Sequence, residues 1–165
     1  MKKHDTLSRS VAACISLQRI LVPVDFSALS KKALRYAVKL SQVFNAEISL
    51  FHVIEPDLPP FFDGTTMAPP TISNGGSVSR TNRMKSWIGS ARNAGATRIA
   101  SIIRNGLPAQ QIVEAARNMD VDLIVIATHG YTGWKHLAIG STAERVVRAA
   151  PCPVLVVREK EHEFI

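Results

Sequence analysis

Residues 19–54 read RILVPVDFS-ALSKKALRYAVKLSQVF-NAEISLFHVI, and this stretch sets the architecture. Arg19-Ile20-Leu21-Val22-Pro23-Val24-Asp25 is a short apolar run of the kind that forms a buried strand. Ser27 then stands where a helix cap belongs. Leu29, Ala33, Tyr36, Ala37, Leu40, Val43 and Phe44 follow the helical period, and Asn45 supplies a stop. Residues 46–54 are again mostly apolar, as expected of a strand in a sheet covered on both faces. One strand, one helix and one further strand in this order make a βαβ unit, which requires a parallel pair.

Outward from this unit the same alternation continues. Residues 56–79 interrupt it with Pro56, Pro59, Pro60, Pro69 and Pro70 and with Gly64, Gly75 and Gly76, the composition of a long loop. A helix is expected from about Arg80 to Ala94, with Met84, Trp87, Ile88 and Ala91 as its apolar stripe and Gly95 as its stop. A strand over 97–103 follows. Pro108 suits a first helical position, opening a helix to about Met119 whose stripe is Ala109, Ile112, Val113 and Ala116. Residues 121–127 form the most apolar strand. A turn region leads to a helix over Ser141–Ala149, and Val154–Val157 closes the chain as a fifth strand. The expected fold is α/β: a doubly wound, mostly parallel five-stranded sheet in the order 3-2-1-4-5, with helices on both faces and right-handed crossovers. Ligands of such sheets bind beyond the C-terminal ends of the strands, where the winding direction switches. Asp25 and the turn Thr128-His129-Gly130 lie at two such ends.

The 165 residues suit one domain. The expected division is a loose basic extension over 1–17, the domain over 18–158 and a short tail over 159–165. Lys2, Lys3 and the stretch Val11-Ala12-Ala13-Cys14 resemble a lipoprotein signal, but the residues before Cys14 are polar, and a secretory signal needs roughly 7–15 apolar residues there. The longest apolar run, Leu123–Ala127, is far short of the roughly 18 residues of a membrane span. Two cysteines distant in sequence, Cys14 and Cys152, argue against a disulfide framework and for a reducing, cytoplasmic setting. Net charge is +7 and uneven. Residues 64–113 contain no acid, while Arg80, Arg83, Lys85, Arg92, Arg98 and Arg104 fall within them. Such a field attracts anions, or serves as a solvated helix face. No nucleic-acid motif accompanies it.

Residues 126–145 carry the chemistry. Gly130 and Gly133 lie in the loop leaving a strand, and Gly140, Ser141 and Thr142 open a helix. Glycine lets main-chain amides approach a ligand closely, and a helix N-terminus presents unpaired N–H donors to a phosphate. The same Ser141-Thr-Ala-Glu144 also reads as a capping box that needs no ligand. The segment has neither P-loop nor dinucleotide-fingerprint spacing. Cys152 between two prolines reads as buried and inert, and His52 as a satisfied core histidine. His129 reads as a turn-stabilising side chain, while Lys135 and His136 are either phosphate contacts or solvated.

Val22-Pro-Val-Asp25-Phe-Ser27, the motif Gly130-x9-Gly140-Ser141 and the closing Ala150-Pro-Cys-Pro-Val-Leu-Val-Val157 together resemble the universal stress protein family over about Gln18 to Arg158. The resemblance implies a stress-response protein that binds an adenine nucleotide, ATP first, with a magnesium ion, if present, bridging the phosphates and no dedicated metal cluster. The implied nucleotide-binding residues are Pro23, Asp25, Val53, Ile126, Ala127, Gly130, Gly133, Gly140, Ser141 and Thr142. Asp25 would meet the ribose or the base, Val53 the adenine, Ile126 and Ala127 the ribose end, and Gly130, Gly140, Ser141 and Thr142 the phosphates. Ala127 replaces the family's first motif glycine. A left-handed backbone there would make alanine costly, whereas ordinary strand backbone would make it a one-methyl change. The resemblance also implies a homodimer through Val154–Val157. Two alternatives stand beside nucleotide binding: a dimeric interaction module that binds no nucleotide, and a weak ATPase, for which Asp25 has no second carboxylate or base near it in sequence.

Overall fold

The computed structural model describes residues 16–56, 77–128 and 140–160. β1 (Arg19–Pro23) is central, and its first amide and the one before it are pinned by the Asp122 carboxylate, which accepts from the N–H groups of Arg19 and Gln18 at 2.8 Å each. α1 (Ala28–Phe44) starts where the sequence anticipates, with the Ser27 hydroxyl accepting from the Ser30 amide at 3.1 Å. It stops at Asn45, which adopts the left-handed conformation. β2 (Glu47–Ile54) runs parallel to β1 in the register Arg19↔Glu47 to Pro23↔Phe51.

α2 (Ser77–Asn93) begins earlier than Arg80. Its first turns are polar and its first fully buried side chain is Met84, so the apolar period becomes visible only after the helix is under way. Gly95, at φ 102°, reverses the chain behind it, a conformation in which a side chain is strained. β3 (Ile99–Asn105) lies two residues beyond the expected span of 97–103. Pairing with β2 in the register Ile48↔Ile99 to Ile54↔Asn105 draws Arg104 and Asn105 into the ladder despite their polarity. α3 (Pro108–Asn118), β4 (Leu123–Ala127), α4 (Ser141–Ala149) and β5 (Val154–Val157) complete the order.

The sheet is parallel throughout, in the order β3-β2-β1-β4-β5. Alternation along the strands feeds two cores. Ile20, Val22, Leu50 and Val125 meet Ala33, Tyr36 and Ala37 of α1 and Met84 of α2. Leu21, Phe51, Ile124 and Ile126 meet Ile112 and Val113 of α3 and Val146 of α4. The two helical layers differ in charge: neither α1 nor α2 contains an acidic residue, whereas α3 and α4 carry Glu114 and Glu144. α1 also holds the far end of the chain. Lys32 is buried, and its ammonium donates to the carbonyls of Arg158 and Glu159 at 2.9 and 3.2 Å, just past β5. No helix among the described residues is long and apolar enough to cross a membrane.

Candidate functional site

From β1 the winding runs outward through β2 to one edge, then returns to β4 on the other side of β1. The crevice above the ends of β1 and β4 is therefore the switch point. A cavity of about 470 Å³ opens there, within the range of small-molecule sites, roughly 300–1,000 Å³. Of the residues expected to form a site, Pro23, Asp25, Val53, Ile126, Ala127, Gly140, Ser141 and Thr142 all line it. Gly130 and Gly133, with His129, Lys135 and His136, lie outside the described residues, as do Cys14 and most of residues 1–17 and 56–79.

The β1 side is a tight three-residue turn. Asp25 Oδ1 accepts from the Ser27 amide at 3.0 Å, so one carboxylate oxygen is spent on the chain itself. Oδ2 is buried and has no hydrogen-bond partner among the described residues. Burial pushes this carboxyl up, but the Ser27 hydroxyl and amide and the nearby Ser30 hydroxyl outweigh it and hold the group below the ordinary value of 3.8. Asp25 is an anion with an unused acceptor at the mouth of the sheet. Phe26, between Asp25 and Ser27, has φ 66°. A bulky side chain in this region costs roughly 1–3 kcal/mol and survives only when its surroundings enforce it.

The β4 side is the start of α4. The capping box expected at Ser141 does not form: Gly140, not Ser141, is the N-cap, no side-chain cap is found among the described residues, and the Glu144 carboxylate pairs with Arg148 at 2.7 Å. The amides of Ser141, Thr142 and Ala143 precede the first amide with an intrahelical acceptor, Glu144 to Gly140 at 2.9 Å. Gly140 itself contributes differently from the expectation. Its N–H donates to the Thr128 carbonyl at 2.7 Å and its φ is −60°, so the position does not call for a special backbone. Ala127 is extended, paired with Val157 in the ladder, and absent from the left-handed residues. Alanine in place of glycine is thus a one-methyl change on an ordinary strand.

Sequence reasoning missed Ser30, Glu55 and Pro108, which line the same cavity, placed Thr128 at a ligand-facing strand end without giving it a role, and assigned His52 to the core alone. His52 is half-buried and also lines the cavity. Its Nδ1 lies 2.8 Å from the Val24 carbonyl, which only accepts, so Nδ1 carries the proton of the neutral ring. Burial, with Arg80 and Arg83 nearby, lowers its pKa below 6.5 against the pull of the Val24 carbonyl and Asp25. Glu55 follows β2 directly, and its place above the sheet was legible from the strand direction alone. Cys152 is half-buried, and burial raises its thiol pKa. No cluster of metal-binding side chains exists among the described residues.

Residues 16–158 match the family model described as the universal stress protein family. The chain belongs to this family. A universal stress protein of Methanocaldococcus jannaschii is 32% identical over 150 residues, covering 88% of this chain and 85% of that protein. The solved universal stress protein UspA from Lactobacillus plantarum superposes with a TM-score of 0.74 at 25% identity, over 87% of this chain and 99% of its own. Two solved universal stress proteins were determined with nucleotides: one in complex with cAMP, at TM-score 0.68 and 23% identity over 88% of this chain and 100% of its own, and one from Archaeoglobus fulgidus in complex with dAMP, at TM-score 0.62 and 19% identity over 87% of this chain and 98% of its own. At those identities the likeness is one of fold.

Proposed function

We propose that this universal stress protein binds an adenine nucleotide, ATP first, in the cavity above β1 and β4, and serves as a stress-response regulator in the cytoplasm. One observation carries the reading: a single cavity is lined both by Asp25, whose carboxylate keeps one oxygen without a partner among the described residues, and by the start of α4, where no side-chain cap is found among the described residues. Acceptor and donors stand on opposite elements, β1 and α4. A ribose hydroxyl or a base amino group would answer the carboxylate. Phosphates would answer the amides of Ser141, Thr142 and Ala143, Val53 would meet the base, and Ile126 and Ala127 would line the ribose end. Magnesium would bridge phosphate oxygens. That fold neighbours hold cAMP and dAMP accords with this assignment, which rests on the chain's own residues.

The test is a melting curve with and without magnesium-ATP. Saturation at a hundredfold excess over Kd adds about 2.7 kcal/mol, a rise of roughly 5–10 °C for a domain of this size. Asp25→Ala is expected to abolish the rise. An unmoved curve at millimolar magnesium-ATP refutes the reading and leaves the nucleotide-free dimeric module in its place. Hydrolysis is a second reading, favoured by Glu55 and His52 entering the cavity that holds Asp25. Phosphate release no greater than that of Glu55→Gln refutes it.

A further inference from the structure

Asp25 can meet a ligand only while its turn keeps the shape described, and the sequence places an aromatic residue at the one position of that turn where the backbone is left-handed. Something must hold Phe26 there. Three side chains surround its ring: His52 from β2 at 4.6 Å between centroids, Trp87 edge-on at 5.5 Å, and the Arg83 guanidinium over the face at 4.3 Å. Arg83 also donates through Nη2 to the Phe26 carbonyl at 3.5 Å. Arg83 and Trp87 stand four residues apart on α2, which puts both on one side of that helix. Arg83 thus touches Phe26 twice, at the ring and at the main chain.

We infer that Arg83 is a positioning residue for the nucleotide-binding carboxylate: by clamping Phe26 in its left-handed conformation, it fixes the direction of the Ser27 amide, which in turn holds Asp25 Oδ1 and sets the orientation of the carboxylate that lines the cavity. The inference rests on the nucleotide reading for its consequence and on the turn alone for its geometry. The planar guanidinium is essential to it. A lysine would keep the charge but lose both the stacked face and the forked donor. α2 contributes no lining residue to the cavity, so through this clamp a helix outside the site governs it.

The experiment has two arms on the full chain. In ligand-free protein, Arg83→Ala and Arg83→Lys should each speed amide exchange at Ser27 by about two- to fivefold, the factor a partly exposed cation–π contact supports. Leu34 and Val38 within α1 should stay unchanged. In the second arm, both substitutions weaken magnesium-ATP binding by a similar factor, and Arg83→Ala adds nothing once Asp25→Asn is present. Unchanged exchange at Ser27, full rescue by lysine, or additivity with Asp25→Asn each overturns the proposal. Should wild-type protein bind no ATP, the nucleotide reading fails by itself and the exchange arm still decides the clamp. Should the alanine variant not fold, the lysine variant decides.

Discussion

Asp25 remains ionised although burial works against it. Because its folded pKa lies below the ordinary 3.8, its contribution to stability is present above 3.8 and is lost as pH falls through the folded value. Denaturant titrations of wild type and Asp25→Asn should therefore run a constant distance apart near neutrality and converge below 3.8. Curves that stay parallel into the acid range would contradict this. His52 has the same sign from a different cause. Its folded pKa lies below 6.5, so its contribution is full above 6.5 and declines as pH drops beneath it, a slope that His52→Gln should remove. Neither shift was legible in the sequence. Asp25 gains its donors from a turn whose shape depends on Phe26, and His52 is buried, with Arg80 and Arg83 nearby, only because the fold brings β2 and α2 together. Ala127 was partly legible: its strand end was readable, but its backbone conformation had to be seen.

At the scale of elements, α4 shows how a helix can be left uncapped and still stand. Its N-cap, Gly140, offers no side-chain acceptor, and burial of Ala143 and Val146 anchors the helix. Ser141 is the first helical residue, and Gly140 before it is extended at φ −60° and ψ 150°, a conformation compatible with a following proline. Ser141→Pro should thus keep the helix and the ligand-free melting point while deleting one amide. Magnesium-ATP affinity is expected to fall about tenfold, the equivalent of roughly one charge-assisted hydrogen bond. Ser141→Ala, measured alongside by calorimetry, separates the hydroxyl from the amide. Equal affinity for wild type and the proline variant would remove this amide from the site. The elements whose caps and stripes coincide, α1 above all, were readable from residues alone. α2 and β3 were displaced because a polar first turn hides a helix and because a partner strand, not composition, decides where a ladder ends.

For the whole molecule, the parallel sheet and both helical layers followed from the alternation of strands and helices, while the strand order, which alternation alone does not select, agrees with the expected 3-2-1-4-5. Assembly is less directly written. β5 is an edge strand with half-buried apolar side chains, and the carbonyls of Pro153 and Val157 point to β4, accepting from Ile124 and Thr128 at 3.0 and 2.9 Å. By alternation Val154 and Val156 direct their main-chain groups outward. If a second copy covers this edge, Val156→Pro should lower the solution mass from dimer to monomer while leaving the sheet intact. Light scattering reads the outcome, and a monomeric wild type would refute it.

The ammonium of Lys32 ties residues 126 positions apart, so the last strand is moored to the first helix. Any chain cut after Val157 removes both of these carbonyl acceptors at once. The damage should surface far upstream of the cut, as faster amide exchange along α1, while α3 on the opposite side keeps its protection.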